Sequence, residues 1–365
     1  MKNLKENLSL TSTAIGSLPH NNAQAALDLI FSTPIDIPFW PQLSKVSPKE
    51  DMIIQLNENI PGLKFDEENN KLFFDTESEE FFLGLEEFFE DYEKITAEKN
   101  FDLLEKYAIS DKFACSIHPF LGKIKETKPL YAKGHVTGPF SWGVSICDPE
   151  KKAAFYDETL RDIIIKALTL KALWQVINIK KASPKTTPII FLDEPTLSQY
   201  GTSAFLTVTK EDITTGISEI SQVLRDNGAL IGVHCCGKTN WSLITDSEVD
   251  ILNFDGYFFG ESLSAYSKEI DSFLKKGGFI AWGMIPTLDP DALEKEDLNS
   301  LLAKFEADKN YLLKNGIDEK QLLSQSIITP SCGAGVLSEE LAQKAIRLTK
   351  ELSDVLKNTY GGTAK

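Results

Sequence analysis

Eight short apolar runs punctuate this chain, and a stretch with helical spacing follows almost every one of them. They fall near residues 12–20, 35–40, 130–139, 189–192, 229–234, 251–256, 278–283 and 327–332. Strands that alternate with helices pair in parallel, because the crossover helix returns the chain to the same edge. Eight such units imply an α/β fold, a (β/α)8 TIM barrel with its helices outside. An open doubly wound sheet would satisfy the count alone. The barrel is favoured because the unusual residues gather where runs end, and such barrels carry their sites at the C-terminal ends of their strands. Ser17, Gln42, His135, Asp193, Glu194, His234, Cys236, Asp255 and Cys332 would then ring one mouth.

Spacing predicts helices over 23–31, 48–56, 79–95, 148–179, 210–224, 262–275, 291–314 and 338–356, the fourth opened by Asp148 and Pro149. Between about 61 and 129 the composition turns acidic and aromatic, which interrupts the rhythm after the second strand-helix unit. Phe81, Phe82, Leu85, Phe88 and Phe89 make an apolar stripe there, the signature of a buried helix face rather than a ligand box. No Pro/Gly/Ser linker flanks this stretch, so it reads as a helical insertion packed on one catalytic domain spanning 1–365.

The run that ends in Gly232-Val233-His234-Cys235-Cys236-Gly237 carries a soft-metal signature. Side chains on a strand repeat every second residue, so His234 and Cys236 face one way and Cys235 the other. Imidazole with thiolate suits zinc, and a catalytic zinc takes three protein ligands and keeps a position open. Cys332, at the end of a second apolar run, is the expected third ligand. A substrate thiol in the open position would be deprotonated by the metal and stay nucleophilic, which points to alkyl transfer to sulfur. Hydrolysis would need a general base beside a metal-bound water, and more often a site with fewer thiolates.

The composition, 42% hydrophobic and 25% charged over 365 residues, is that of an ordinary globular protein able to bury a large core. Five irregularly spaced cysteines argue against a disulfide framework and for a reducing, cytoplasmic setting. Residues 1–7 have no signal-peptide core, and no apolar run approaches the ~20 residues that span a bilayer. A formal net charge of −16 repels a phosphate backbone, so neither nucleic acid nor membrane is an expected partner.

Five motifs stand in order along the chain: Ala14-Ile15-Gly16-Ser17-Leu18-Pro19, Val136-Thr137-Gly138-Pro139, Leu192-Asp193-Glu194-Pro195, His234-x-Cys236 and Ser331-Cys332-Gly333. Together they resemble the catalytic C-terminal half of cobalamin-independent methionine synthase, in the superfamily of uroporphyrinogen decarboxylase and the methylcobalamin:thiol methyltransferases. Each motif alone is weak, whereas the ordered set covers nearly the whole chain. The resemblance implies zinc held by His234, Cys236 and Cys332, with Asp255 where the synthase has a ligating glutamate and Glu261 as the nearby alternative. It implies that Ile15 and Ser17 hold the carboxylate of homocysteine, through a backbone group and a hydroxyl, and that Asp193, with Glu194 beside it, takes the ammonium group.

The chain also departs from that family. Gln42 stands where the synthase has a second ammonium-binding glutamate, and the N-terminal half of the long synthase is absent. The stretch Met284-Ile285-Pro286-Thr287 has no histidine, although the synthase places its proton donor in the matching loop. His20, His118 and His135 remain, and a lone histidine is more often structural than catalytic. Cleaving a carbon–nitrogen bond of methyltetrahydrofolate needs that proton, whereas a methylated corrinoid does not. The sequence therefore leads to a zinc-dependent thiol methyltransferase that makes methionine from homocysteine, with a methylated corrinoid or corrinoid protein as donor. A coenzyme M-type thiol methyltransferase and a non-catalytic zinc-binding barrel are the alternatives. Uroporphyrinogen decarboxylase chemistry needs no metal and would leave the ligand set without a purpose.

Overall fold

The computed structural model describes residues 4–361, so the first three residues of the N-terminal stretch read above lie outside it. Its strands are β1 (Thr11–Ser12), β2 (Leu63–Asp66), β3 (Lys71–Phe74), β4 (Tyr131–Thr137), β5 (Thr187–Asp193), β6 (Leu230–Cys235), β7 (Ile251–Phe254), β8 (Phe279–Ile285) and β9 (Ser326–Pro330). Seven of these form one curled, all-parallel sheet in the order β1-β9-β8-β7-β6-β5-β4, and β2 and β3 pair separately as an antiparallel hairpin.

Both faces of the large sheet are covered, which is why its strands read as unbroken apolar runs. Alternate residues Tyr131, Ile189, Phe191, Leu230, Ile251, Phe279, Ala281 and Ile327 meet on the concave face, with Leu8 and Ile37. The residues between them, among them Leu192, Val233, Phe254 and Trp282, point outward into a larger core shared with the helices. The next positions toward the C-terminal strand ends on the concave face are polar, and these build the site described below.

A strand is expected over 35–40, but the segment 37–42 forms only isolated bridges, because Pro38 and Pro41 supply no N–H to a ladder. It still joins both edges of the sheet. Ile37 N–H donates to Ser12 at 3.0 Å and Gln42 N–H to Gly16 at 3.1 Å, while on the other side Trp40 N–H donates to Lys133 at 2.9 Å. Beyond Trp40 that pairing stops, and a side chain takes its place. Gln175, from the helix Glu158–Ala182, accepts from His135 N–H at 3.1 Å and donates to His135 C=O at 2.8 Å. Gly134 leaves the room for this, since a Cβ there would sit 2.1 Å from Gln175 Oε1.

Other expected elements shift in ways their caps explain. The helix expected over 148–179 begins at Glu158, where Asp157 accepts from Leu160 N–H. Asp148 instead closes a turn by accepting from Lys152 N–H at 2.8 Å, and Lys151 in that turn has φ 64. The helix expected over 291–314 divides into Pro290–Lys295 and Leu298–Lys314, because Asp297 caps a new start. The stretch 48–56 makes two 3₁₀ turns, and the helix expected over 262–275 is a 3₁₀ segment before Ser267–Lys275. Within 61–129 lie the β2–β3 hairpin and the helices Glu79–Thr96 and Ile117–Thr127. Phe81 and Phe88 are buried as the stripe requires, but Phe82 is exposed. Among the described residues no helix is long and apolar enough to cross a membrane.

Replacing Gln175 with leucine leaves a backbone donor and acceptor of His135 buried and unpaired. We expect it to cost about 2–4 kcal/mol in urea unfolding. A loss below about 1 kcal/mol would mean that water or a shifted strand completes this edge instead.

Candidate metal centre

His234 is the last concave-face residue of β6, and its register partners are Asp193 on β5 and Asn253 on β7. Cys236 follows just beyond the end of β6, and Cys332 lies just beyond the end of β9. One ligand atom from each of His234, Cys236 and Cys332 lies within 4.8 Å of the other two. Among the described residues this is the group of metal-ligating side chains that could hold an ion.

The donor chemistry fits a soft divalent metal, and the hydrogen bonds set the right tautomer. Asn253 donates its amide hydrogens to Ala281 C=O and Thr329 Oγ1, both at 2.9 Å. Its Oδ1 must therefore face His234, whose Nδ1 donates to it at 2.5 Å. That leaves the lone pair of His234 Nε2 free, and this atom is buried with no hydrogen-bond partner. A metal-ligating histidine commonly has its second nitrogen anchored in this way.

The two thiols lean on one another. The hydrogen bond from Cys332 pulls the Cys236 thiol well below its ordinary pKa, and the same bond, with burial, pushes Cys332 well above. Burial works to lower the pKa of His234, but neighbouring Cys236 and Asp193 outweigh it and hold it above the usual value. A metal ion would replace the protons that these groups share, so its affinity must fall as pH falls. Thr287, in the loop after β8, holds Cys332 in place: its Oγ1 accepts from Cys332 N–H at 3.1 Å and donates to Cys332 C=O at 2.8 Å. Cys235 is fully buried on the opposite side, its sulfur 3.5 Å from Gly237 C=O.

The remaining expected site residues divide. Ser17 lies against the loop that carries Cys332: its oxygen accepts from Gly335 N–H at 3.3 Å, and a Cβ on Gly333 would sit 2.0 Å from that oxygen. Ile15 turns its carbonyl to the amine of Lys133. Gln42 is at this end of the sheet through its bridge to Ser17, but its amide nitrogen is committed to Glu50 C=O at 2.8 Å. Asp193 is on the concave face with Oδ1 buried and unpartnered. Burial raises its carboxyl to about 6, against the opposing pull of Lys133 and His234.

Glu194 is already engaged: its carboxylate accepts from Phe140 N–H at 2.9 Å, Ser141 N–H at 2.8 Å and Ser141 Oγ at 2.6 Å, at the start of the helix Pro139–Ser145. Asp255 is engaged as well. It accepts from Phe258 N–H at 2.9 Å as the cap of the short helix Gly256–Phe259, beside the group of three and not within it. Burial pushes its carboxyl up to about 7. Glu261 is exposed. Of the other histidines, His118 is solvent-facing near Asp111, and His20 has a pKa lowered by burial. Sequence reasoning missed Asn253, Thr287 and Lys133. An asparagine at period two with His234's strand and a lysine inside an otherwise apolar run were the signals.

Fold and site together define a parallel α/β protein with a His-Cys-Cys centre at the C-terminal ends of its strands. No protein-family model matches the chain, and no curated protein matches it by sequence. Among solved structures it is similar to a B12-independent methionine synthase from Shewanella sp. W3-18-1 in complex with selenomethionine. The TM-score is 0.55 at 12% identity, over 97% of this chain and 99% of that one. A D-psicose 3-epimerase solved in the presence of D-fructose gives a TM-score of 0.33 at 9% identity, over 68% of this chain and 84% of that one. The first likeness shows that the two chains share a fold.

Cys236→Ser and Cys332→Ser should each lose most bound zinc, whereas Cys235→Ser should keep about one equivalent. Elemental analysis finding full zinc in both of the first two would remove them as ligands.

Proposed function

We propose that this chain is a zinc-dependent methyltransferase that converts homocysteine to methionine, with a methylated corrinoid, free or protein-borne, as donor. One observation carries the reading: three soft ligands converge beside the carboxylate of Asp193, whose Oδ1 is buried without a partner. His234, Cys236 and Cys332 would hold the metal. Zinc, when bound there, supplies a Lewis acid that keeps a substrate thiol ionised at neutral pH without quenching its nucleophilicity. Asn253 fixes the His234 ring, and Thr287 fixes the Cys332 backbone, so the ligand geometry is set before substrate arrives. Asp193 would take the substrate ammonium in a charge-assisted bond. That preference speaks against a sulfonate thiol such as coenzyme M, which has no ammonium to offer.

The same reading takes segment 37–42 as an eighth stave that completes a (β/α)8 barrel, with 61–129 as an insertion on a single domain. Its backbone bonds to both Ser12 and Lys133 support this. All five cysteines are free, which agrees with a cytoplasmic setting. The donor assignment rests on the loop after β8. Residues 284–287 contain no histidine, and Thr287, the hydroxyl-bearing residue among them, is committed to Ser331 and Cys332. A donor that leaves without protonation, such as a methylated corrinoid, asks nothing of that loop.

Zinc-loaded protein with homocysteine should form methionine from methylcobalamin or a methylated corrinoid protein and not from methyltetrahydrofolate. Methionine from the folate alone would overturn the donor assignment. No methionine from any of the three would overturn the function.

A further inference from the structure

Cys332 lies beyond Pro330, the last paired residue of β9, so the ladder does not fix it. The residues that follow it, Gly333-Ala334-Gly335, fold round a single side chain, that of Ser17. Ser17 C=O accepts from Ala334 N–H at 2.9 Å, and Ser17 Oγ accepts from Gly335 N–H at 3.3 Å. A Cβ on Gly333 would stand 2.0 Å from Ser17 Oγ, and one on Gly335 would stand 3.1 Å from Ser17 Cβ. Neither glycine has a left-handed φ, so what the two supply is room rather than conformational freedom. The hydroxymethyl group of Ser17 fills that room.

Ser17 is itself held on both sides by Gln42. Leu18 N–H donates to Gln42 C=O at 3.0 Å, and Gln42 N–H donates to Gly16 C=O at 3.1 Å. Farther along the loop Lys45 Nζ donates to Leu337 C=O at 2.9 Å, so residues 333–337 are seated on the segment 16–45. The peptide between Cys332 and Gly333 is shared by two grips: Thr287 Oγ1 donates to its carbonyl, and its glycine end stands against Ser17. Groups that fix the backbone of a ligand in this way set the direction in which its side chain meets the ion.

We infer that Ser17 is a positioning residue of the metal centre: its hydroxymethyl group, seated against Gly333 and Gly335, fixes the loop that aims Cys332 at the ion. The inference rests on the reading of His234, Cys236 and Cys332 as metal ligands. Holding the loop uses a lone pair of the Ser17 oxygen and leaves the hydroxyl hydrogen to donate, so this role is separate from any contact with a substrate.

The test is zinc affinity, read by competition with a chromophoric chelator, in Gly333→Ala, Ser17→Gly and the double variant. A Cβ at 333 makes Ser17 Oγ rotate away from Gly335 N–H or makes the loop move, so Gly333→Ala should weaken zinc by about ten- to a hundredfold. Ser17→Gly loses the same grip and should fall in the same range. In the double variant the new methyl enters the space left by the hydroxymethyl group, so Gly333→Ala should cost less than about twofold once Ser17 is glycine. Gln175→Leu, which weakens the β4 edge and touches no ligand loop, should bind zinc within about twofold of wild type. Additive losses in the double variant, or wild-type affinity in Gly333→Ala, would overturn the inference. Equal weakening in Gln175→Leu would do so too, by tracing the effect to a general loss of stability. Where Gly333→Ala does not fold alone, Ser17→Gly decides, and wild-type affinity there overturns the inference. Undiminished zinc in Cys332→Ser would instead overturn the metal reading, and this inference with it.

Discussion

One amide organises the functional end of this protein. Asn253 gives both of its hydrogens to the strands on one side, at Ala281 and Thr329, and so must offer its oxygen to His234 on the other. Four neighbouring strands, β6 to β9, are thereby tied at one level, and the imidazole is held with its free nitrogen toward two thiols. The arrangement needs the register of the sheet, because only residues of like parity on adjacent strands can meet in this way. A slip of one residue would send His234 into the outer core.

The polar layer above the apolar floor carries several uncompensated groups: His234 Nε2, Asp193 Oδ1 and both nitrogens of His135. Each is a liability in an empty protein, since a buried polar atom without a partner costs of order 1–3 kcal/mol. Their clustering on adjacent strands sets them apart from scattered packing defects. Glu194 shows the contrast: it is more deeply buried than Asp193, yet three donors satisfy it. Two consecutive carboxylates therefore do different work, one closing a helix end and the other left open.

Much of this was legible in the sequence. The apolar runs announced a parallel sheet because both faces of each strand are covered, and the parity of His234 and Cys236 placed them together and set Cys235 apart. Segment 37–42 was harder, since its two prolines remove the ladder that a pattern of apolar residues promises. The carboxylates were hardest. A helix cap and a ligand call for the same side chain at the same strand end, so nothing local distinguishes Glu194 or Asp255 from Asp193. Lys133 was masked by its surroundings, because a lysine within a strand ordinarily marks a solvated face. Only the curl of the sheet turns it inward.

The central claim is that a thiol substrate becomes a fourth partner of a metal held by one imidazole and two thiolates. X-ray absorption at the zinc edge tests it directly. The account predicts two sulfur neighbours and one imidazole nitrogen in the loaded protein, and three sulfurs once homocysteine is added. An unchanged sulfur count at saturating homocysteine would contradict it.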